Sequence, residues 1–222
     1  MPRKARIFQQ AVCYHLMNRG LNRAGILIDP EDKQRFSQVV AEYKEICGAR
    51  VYHWVWMDTH FHMLAEVVYE NLRGFMGGIQ QVYAQYHHRR HGGSGVFWEG
   101  RFKSKPVEVG EYLVRCGRYI ERNPVRACLA GKAWEYGWSS ASFYVNGKED
   151  GLTDLNGYVW STDVPTEGGR AEYAEALSQT ADEEWMRKQR LRSAIGADRF
   201  LRGLRLEGGR HRRKRGRPAQ SV

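Results

Sequence analysis

The stretch VYHWVWMDTHFHMLAEVV, residues 51–68, decides the fold. Two runs of β-branched and aromatic residues flank Asp58 and Thr59, the pattern of two strands joined by a two-residue hairpin. On a strand, residues two apart share a face. His60 and His62 therefore stand side by side and aim one way. Each ring has two nitrogens to satisfy, which makes a same-face pair harder to bury than a lone core histidine. Two readings stay open from the pattern alone: a metal site, or two core histidines with ordinary hydrogen bonds.

Outward from the hairpin, AVCYHLMNRG (11–20) reads as a first strand closed by Gly20. DPEDKQRFSQVVAEYKEICG (29–48) reads as a helix, with Asp29 as cap, Pro30 in the first turn and Gly48 at its end. Phe36, Val39, Val40, Tyr43, Ile46 and Cys47 make its apolar stripe. NLRGFMGGIQQVYAQYHHRRHG (71–92) is helical with a glycine-weakened start, GVFWEGRFKSKPVEV (95–109) holds a short strand, and GEYLVRCGRYIERN (110–123) is a helix that Pro124 stops. The order β-α-β-β-α-(β)-α predicts an α+β, ferredoxin-like antiparallel sheet with helices on one face. Two short helical stretches near 168–190 and 192–205 extend it, and a basic tail follows.

The bulk numbers agree with a folded chain of ordinary size. It has 222 residues, 42% of them hydrophobic, with twelve tyrosines and seven tryptophans. Cys13, Cys47, Cys116 and Cys128 are far apart and form no C-x-x-C, which argues against a zinc ribbon or disulfide framework and suits a reducing cytosol. No apolar run has the length of a membrane span, so a membrane partner is not expected. The net charge of +10 is uneven. Residues 1–148 carry 21 basic and 13 acidic residues, residues 149–184 ten acids against Arg170, and residues 210–222 six Lys/Arg and no acid. A basic body, an acidic connector and a basic end fit a chain that meets nucleic acid in two places.

In GRYIERNPVRACL (117–129), Tyr119 and Asn123 lie four residues apart and share a helical face. Pro124 is expected to end the helix at Asn123 and leave that amide at an exposed end. One reading makes Tyr119 a nucleophile and Asn123 a third metal ligand beside the histidines. The other packs Tyr119 in the core and makes Asn123 a C-cap.

YHLMNRG, MDTHFHML, GSGVFWEGRFKS, RYIERNPVRA and WSSASFY together, in this order, resemble the single-tyrosine HUH transposases, above all the REP-associated tyrosine transposases of bacteria. The resemblance covers roughly residues 5–145. It implies that His60 and His62 form the HUH metal motif, that Asn123 is the remaining ligand and that Tyr119 is the nucleophile. Thr59 stands where the family usually has Asn, and its hydroxyl keeps a hydrogen-bonding group there. The implied activity is that of a metal-dependent single-stranded DNA endonuclease and strand transferase, acting on REP-like hairpin-containing DNA through a 5′-phosphotyrosine intermediate. The implied cofactor is Mg2+ or Mn2+, although two imidazoles by themselves favour zinc, manganese or copper. A zinc hydrolase independent of Tyr119, and a catalytically silent DNA-binding relative, are the alternatives. A monomer or homodimer in the bacterial cytoplasm, associated with the nucleoid, is expected.

Arg19, Arg23, Arg101 and Lys103 are candidate DNA contacts, and so are Arg89 and Arg90, which with His87, His88 and His91 make either a helix-end cationic patch beside DNA or a merely solvated helix end. Trp98 and Phe102 are candidates for stacking on bases or for the core. Tyr83 and Tyr86 have the spacing of helix packing residues, and Trp134 and Trp138 are assigned to the core. Arg215-Gly216-Arg217-Pro218 resembles an AT-hook core, for A·T-rich duplex DNA, with Lys214 where a proline usually precedes it; a generic polybasic DNA-binding tail is the other reading. The organisation expected is a nuclease domain over 1–148, an acidic connector with a short helical extension over 149–209, and a basic AT-hook-like tail over 210–222.

Overall fold

A computed structural model describes residues 12–155, 166–189, 192 and 194–210. Strands β1 (Val12–Arg19), β2 (Arg50–Met57), β3 (His60–Val67) and β4 (Lys103–Val107) form one antiparallel sheet in the order β2-β3-β1-β4. Helix α1 (Pro30–Cys47) links β1 to β2, and α2 (Tyr69–His91) links β3 to β4. The hairpin turns at Asp58–Thr59 as its sequence requires. Asp29 caps α1 by accepting from the Asp32 amide, Pro30 opens it, and Gly48 ends it in the left-handed conformation at φ 59°.

Alternation along β3 sorts its side chains. Phe61, Met63, Ala65 and Val67 join the core beneath α1 and α2. His60, His62 and Leu64 face the other way. Phe61 is fully buried and packs on Phe36, 5.0 Å between ring centroids, and on Trp56 and Trp98. Its anchorage holds the two flanking histidines on the opposite surface. A bulge between Val51 and His53 resets the alternation of β2: Trp54 and Trp56 serve the first core, Val55 and Met57 the second.

Helices α1 and α2 lie on one face, as the pattern predicts. Helix α3 (Glu111–Glu121) does not. It covers the opposite face, with Leu113, Cys116 and Ile120 packed on Cys13, Val55, Leu64 and Val107. The apolar part of the second face needs a cover, and an amphipathic helix there is what excludes water from it. Gly117 allows the close approach, because a Cβ there would lie 2.5 Å from the His53 ring. Ile46 departs from the expected α1 stripe and is 65% exposed.

The chain beyond α3 covers both sheet edges. Along β2, Trp56 N–H donates to Trp138 O, Ser140 N–H to Trp54 O, and Asp154 N–H to Val51 O. Along β4, Ile195 N–H donates to Pro106 O and Glu108 N–H to Ile195 O. Backbone groups that would otherwise template another strand are thereby used. Short helices α4 (Asn123–Arg126) and α5 (Ala141–Asn146) precede α6 (Glu167–Ser178), α7 (Ala181–Gln189) and α8 (Asp198–Arg210). The helical stretch expected near 168–190 is thus two helices, and the next begins at Asp198. All four cysteines are free, Cys128 alone being exposed. Among the described residues, no helix is long and apolar enough to cross a membrane.

Candidate active site

A cleft of about 450 Å³ opens on the α3 side of the sheet. His60, His62, Tyr119 and Asn123 all line it, together with Thr59, Arg19, Arg23, Arg101, Lys103 and Arg126. Sheet and helix supply different parts. β3 presents the histidines, with ring centroids 5.2 Å apart and planes nearly perpendicular. α3 carries Tyr119, half-buried, across from them.

Each histidine is oriented by a neighbour. The Thr59 hydroxyl lies 3.0 Å from His60 Nδ1, so the residue in the family's Asn position still engages the ring. His15 Nε2 lies 2.9 Å from His62 Nδ1. Burial, then Arg126 and Arg19, holds His60 below the ordinary histidine pKa, so at neutral pH it is uncharged and has a lone pair to offer. Neutral imidazoles with one ring nitrogen held by a neighbour are the form in which histidine ligates metal.

Asn123 is placed differently from its sequence expectation. Helix α3 ends at Glu121, and Asn123 with Pro124 opens α4. Asn123 is buried, 8% exposed, rather than left at an open end. Pro124 has no N–H to give the Ile120 carbonyl four residues back. The Asn123 side-chain amide replaces it, donating from Nδ2 to Ile120 O at 2.7 Å and to Tyr119 O at 3.3 Å. The amide nitrogen thus acts as a cap while Oδ1 accepts from Arg126 Nη2 at 2.6 Å. A carbonyl oxygen has two lone pairs, so Oδ1 retains capacity for a cation. Two oriented imidazoles, that of His60 uncharged, and one amide oxygen on the same cleft fit a divalent metal.

Arg126 went unrecognised in the sequence. Its guanidinium lies 4.0 Å from the Tyr119 ring centroid, and it donates to Tyr119 O as well as Asn123 Oδ1. The available signal was its place three residues after Asn123 on a short helix. His15 was also missed, although it is a polar residue in an apolar strand.

Of the candidate DNA contacts, Arg19, Arg23, Arg101 and Lys103 line the cleft. Arg19 is ion-paired with Glu99. Arg23 is exposed, with φ 60°. Arg89 is exposed on α2 but does not line this cleft. Arg90 is not a free cation: it pairs with Asp29, Glu31 and Asp32 at 2.6–2.9 Å, so the expected cationic patch is largely neutralised at α1. Three acids at the first turn of α1 outcompete solvent for it. Tyr83 is core, its hydroxyl donating to Ile26 O at 2.6 Å. Phe102 is buried, and Trp98 packs against the same core with its Nε1–H on Gln80 O. Arg215 and Arg217 lie outside the described residues.

Beneath α3 sits a buried carboxylate that the sequence reading also passed over. Glu121 is fully buried and accepts from Ser140 Oγ at 2.6 Å, Tyr173 Oη at 2.7 Å and His53 Nδ1 at 2.9 Å. Burial holds Tyr144 and Tyr173 far above the usual phenol pKa, so Tyr173 remains a donor. Arg115 and Arg118, on another face of α3, pair with Asp182 of α7. The C-terminal extension is fastened to the helix that carries Tyr119.

The fold is similar to that of a REP-associated tyrosine transposase solved bound to a REP hairpin, with a TM-score of 0.57, 16% identity, and coverage of 70% of this chain and 93% of that one. A second solved structure, a candidate transposase from Deinococcus radiodurans, aligns at a TM-score of 0.37 with 18% identity, covering 55% of this chain and 97% of that one. No curated protein matches the chain. The sequence family described as "Transposase IS200 like" matches residues 8–123. That span takes in all four strands, both histidines, Tyr119 and Asn123, and the chain belongs to this IS200-like family of DNA-processing transposases.

Proposed function

We propose that the protein is a metal-dependent single-stranded DNA endonuclease and strand transferase that uses Tyr119 as its nucleophile on hairpin-bearing DNA. The observation that carries this is the convergence of Tyr119, His60, His62 and Asn123 on one cleft rimmed by Arg19, Arg23, Arg101 and Lys103. The hairpin is carried over from the REP hairpin bound in the structurally similar transposase.

His60, His62 and Asn123 would hold the cation. Bound there, Mg2+ or Mn2+ supplies Lewis-acid polarisation of the scissile phosphate, with the two imidazoles inclining the choice to manganese. The chain's residues do the rest. Arg126, stacked on the Tyr119 ring, fixes the phenol's position and adds positive charge beside it. Tyr119 Oη attacks the phosphorus and loses its proton. The phosphorus–O3′ bond breaks, and the departing oxygen becomes a 3′-OH. The new 5′-phosphotyrosine ester keeps the phosphodiester's bonding, so attack by a 3′-OH reverses the step and joins strands. The cleft cations contact backbone, and Arg89 and the tail residues Arg215 and Arg217 extend contact to neighbouring DNA, A·T-rich duplex for the tail.

Labelled single-stranded REP-like hairpins with Mn2+ should give a covalent protein–DNA adduct that Tyr119→Phe abolishes without loss of binding. An adduct persisting in Tyr119→Phe would overturn the assignment, and binding with no adduct in the unaltered protein would make it a silent DNA-binding relative.

A further inference from the structure

We propose that Asp32, His87 and His91 form a second divalent-metal site, of zinc type, at the junction of α1 and α2. His87 and His91 are one helical turn apart on α2, with ring centroids 4.4 Å apart. Asp32 comes from the first turn of α1 and is fully buried. One ligand atom from each of the three lies within 4.8 Å of the others. His91 Nε2 is already 3.0 Å from each Asp32 oxygen. Ligands at about 2.0–2.1 Å in a tetrahedral site are roughly 3.4 Å apart, a spacing this cluster would reach by modest side-chain shifts.

Two observations support a cation here. His87 is 9% exposed, and its buried Nε2 has no hydrogen-bond partner. The junction is also rich in acids: among the described residues, Asp29, Glu31 and Asp32 gather on Arg90, and Asp32 meets His91 as well. Burial, then the neighbouring His91, holds His87 below the ordinary histidine pKa, so it contributes a lone pair and no charge. A divalent ion would balance these acids. Arg90 would give up Asp32 and His91, which its Nη1 now contacts at 2.6 and 3.1 Å, and keep Asp29 and Glu31. Two imidazoles and one carboxylate form a donor set for zinc rather than magnesium.

The site is separate from the cleft, whose lining includes none of these residues. It sits under the loop leaving α2, where Phe97 packs on the His87 ring at 4.7 Å and Trp98, Glu99 and Arg101 follow. Zinc here would fasten the ends of α1 and α2 and the root of a loop that supplies Glu99 and Arg101 to the cleft.

The test is Co2+ and Zn2+ stoichiometry on the full chain stripped of metal. His91→Asn, at an exposed position, should bind one equivalent of Co2+ fewer than the unaltered protein and show a smaller Zn2+-dependent rise in melting temperature. The His60→Ala/His62→Ala variant should retain one equivalent with the visible absorption of tetrahedral Co2+. This comparison is independent of whether the cleft binds metal, because the difference is read between proteins. Equal stoichiometry in His91→Asn, or no ion retained by the His60→Ala/His62→Ala variant, would overturn the proposal. His87→Gln, if it folds, should match His91→Asn.

Discussion

His15 on β1 faces His62 on β3, with 2.9 Å between Nε2 of the first and Nδ1 of the second. Neither residue is opposite the other in the ladder: His62 pairs with Met17 and His15 with Leu64, so the contact is a diagonal one across the same face. The diagonal fixes the rotation of the His62 ring, and with it the direction in which its other nitrogen offers electrons. His15→Phe keeps the ring volume and removes that support. Cleavage should then need roughly 10–100-fold more Mn2+ for half-maximal rate, with the far-ultraviolet spectrum unchanged. An unaltered manganese requirement would reduce His15 to packing.

The same residue makes stability depend on pH. Burial first, then Lys105, lowers the His15 pKa from 6.5 to about 3. Below pH 6.5 the unfolded chain takes up a proton on this ring, while the folded chain refuses it until about pH 3. The unfolded state therefore binds more protons, and stability falls as pH drops through that window. The slope from one such group is at most about 1.4 kcal/mol per pH unit. His60 and His87 are shifted in the same direction and steepen it. Urea unfolding across this range should show the loss, with a shallower slope in His15→Phe.

Much of this fold was legible because β2, β3 and α1 each combine period, length and termini in agreement. The hairpin turn, the Asp29 cap and the Gly48 stop are local chemistry, readable without the rest of the chain. The position of α3 was not, because a helix's amphipathic stripe shows that it packs without saying on which face of the sheet. Spacing marked His60, His62 and Tyr119 as candidates beside an ordinary packing reading, the family resemblance implied their roles, and the cleft brings them together. The actual role of the Asn123 amide depended on which carbonyl Pro124 leaves unserved, a question of helix geometry. Arg90 misled for a simpler reason. Its three acidic partners are 58 to 61 residues away in sequence, so composition counted it as a free charge.

Two tyrosines offer opposite outcomes for the same substitution. Tyr83→Phe leaves the Ile26 carbonyl without its 2.6 Å donor and should cost about 1–3 kcal/mol of stability while preserving the covalent adduct. Tyr119→Phe keeps the Arg126 stacking surface and should abolish the adduct with a far smaller change in stability. Adduct formation that vanishes with Tyr83 would point to the wrong helix having been chosen for the nucleophile.

Arg126 touches both Tyr119 and Asn123, and the contacts are of different kinds. The guanidinium face lies on the ring, while its edge donates to Tyr119 O and Asn123 Oδ1. Lysine cannot do both, because an ammonium has no plane to stack and no fixed fork. Arg126→Ala should slow single-turnover cleavage about 10–100-fold, the kinetic equivalent of one stacked cation with one charged hydrogen bond. Arg126→Lys should recover little of that. Full recovery by lysine would mean that charge alone matters there.

The extension beyond residue 166 should be energetically part of the active-site helix. Arg115 and Arg118 of α3 and Arg122, just past its end, recur at three and four residues, so they form one stripe. That stripe meets Asp182 on α7 and the Leu177 carbonyl on α6, and Tyr173 of α6 reaches Glu121 from beneath. Tyr173→Phe removes one donor to a buried carboxylate, a loss of about 1.5–3 kcal/mol. Asp182→Asn leaves two partly exposed arginines poorly paired and should cost about 1–3 kcal/mol. Because both act through α3, the double variant should depart from additivity by about 0.5 kcal/mol or more. Hydrogen exchange supplies the decisive readout. In each single variant, amides of α3 around Tyr119 should lose protection while those of α1 keep theirs. Unchanged protection in α3 would mean that the extension rests on the helix without holding it.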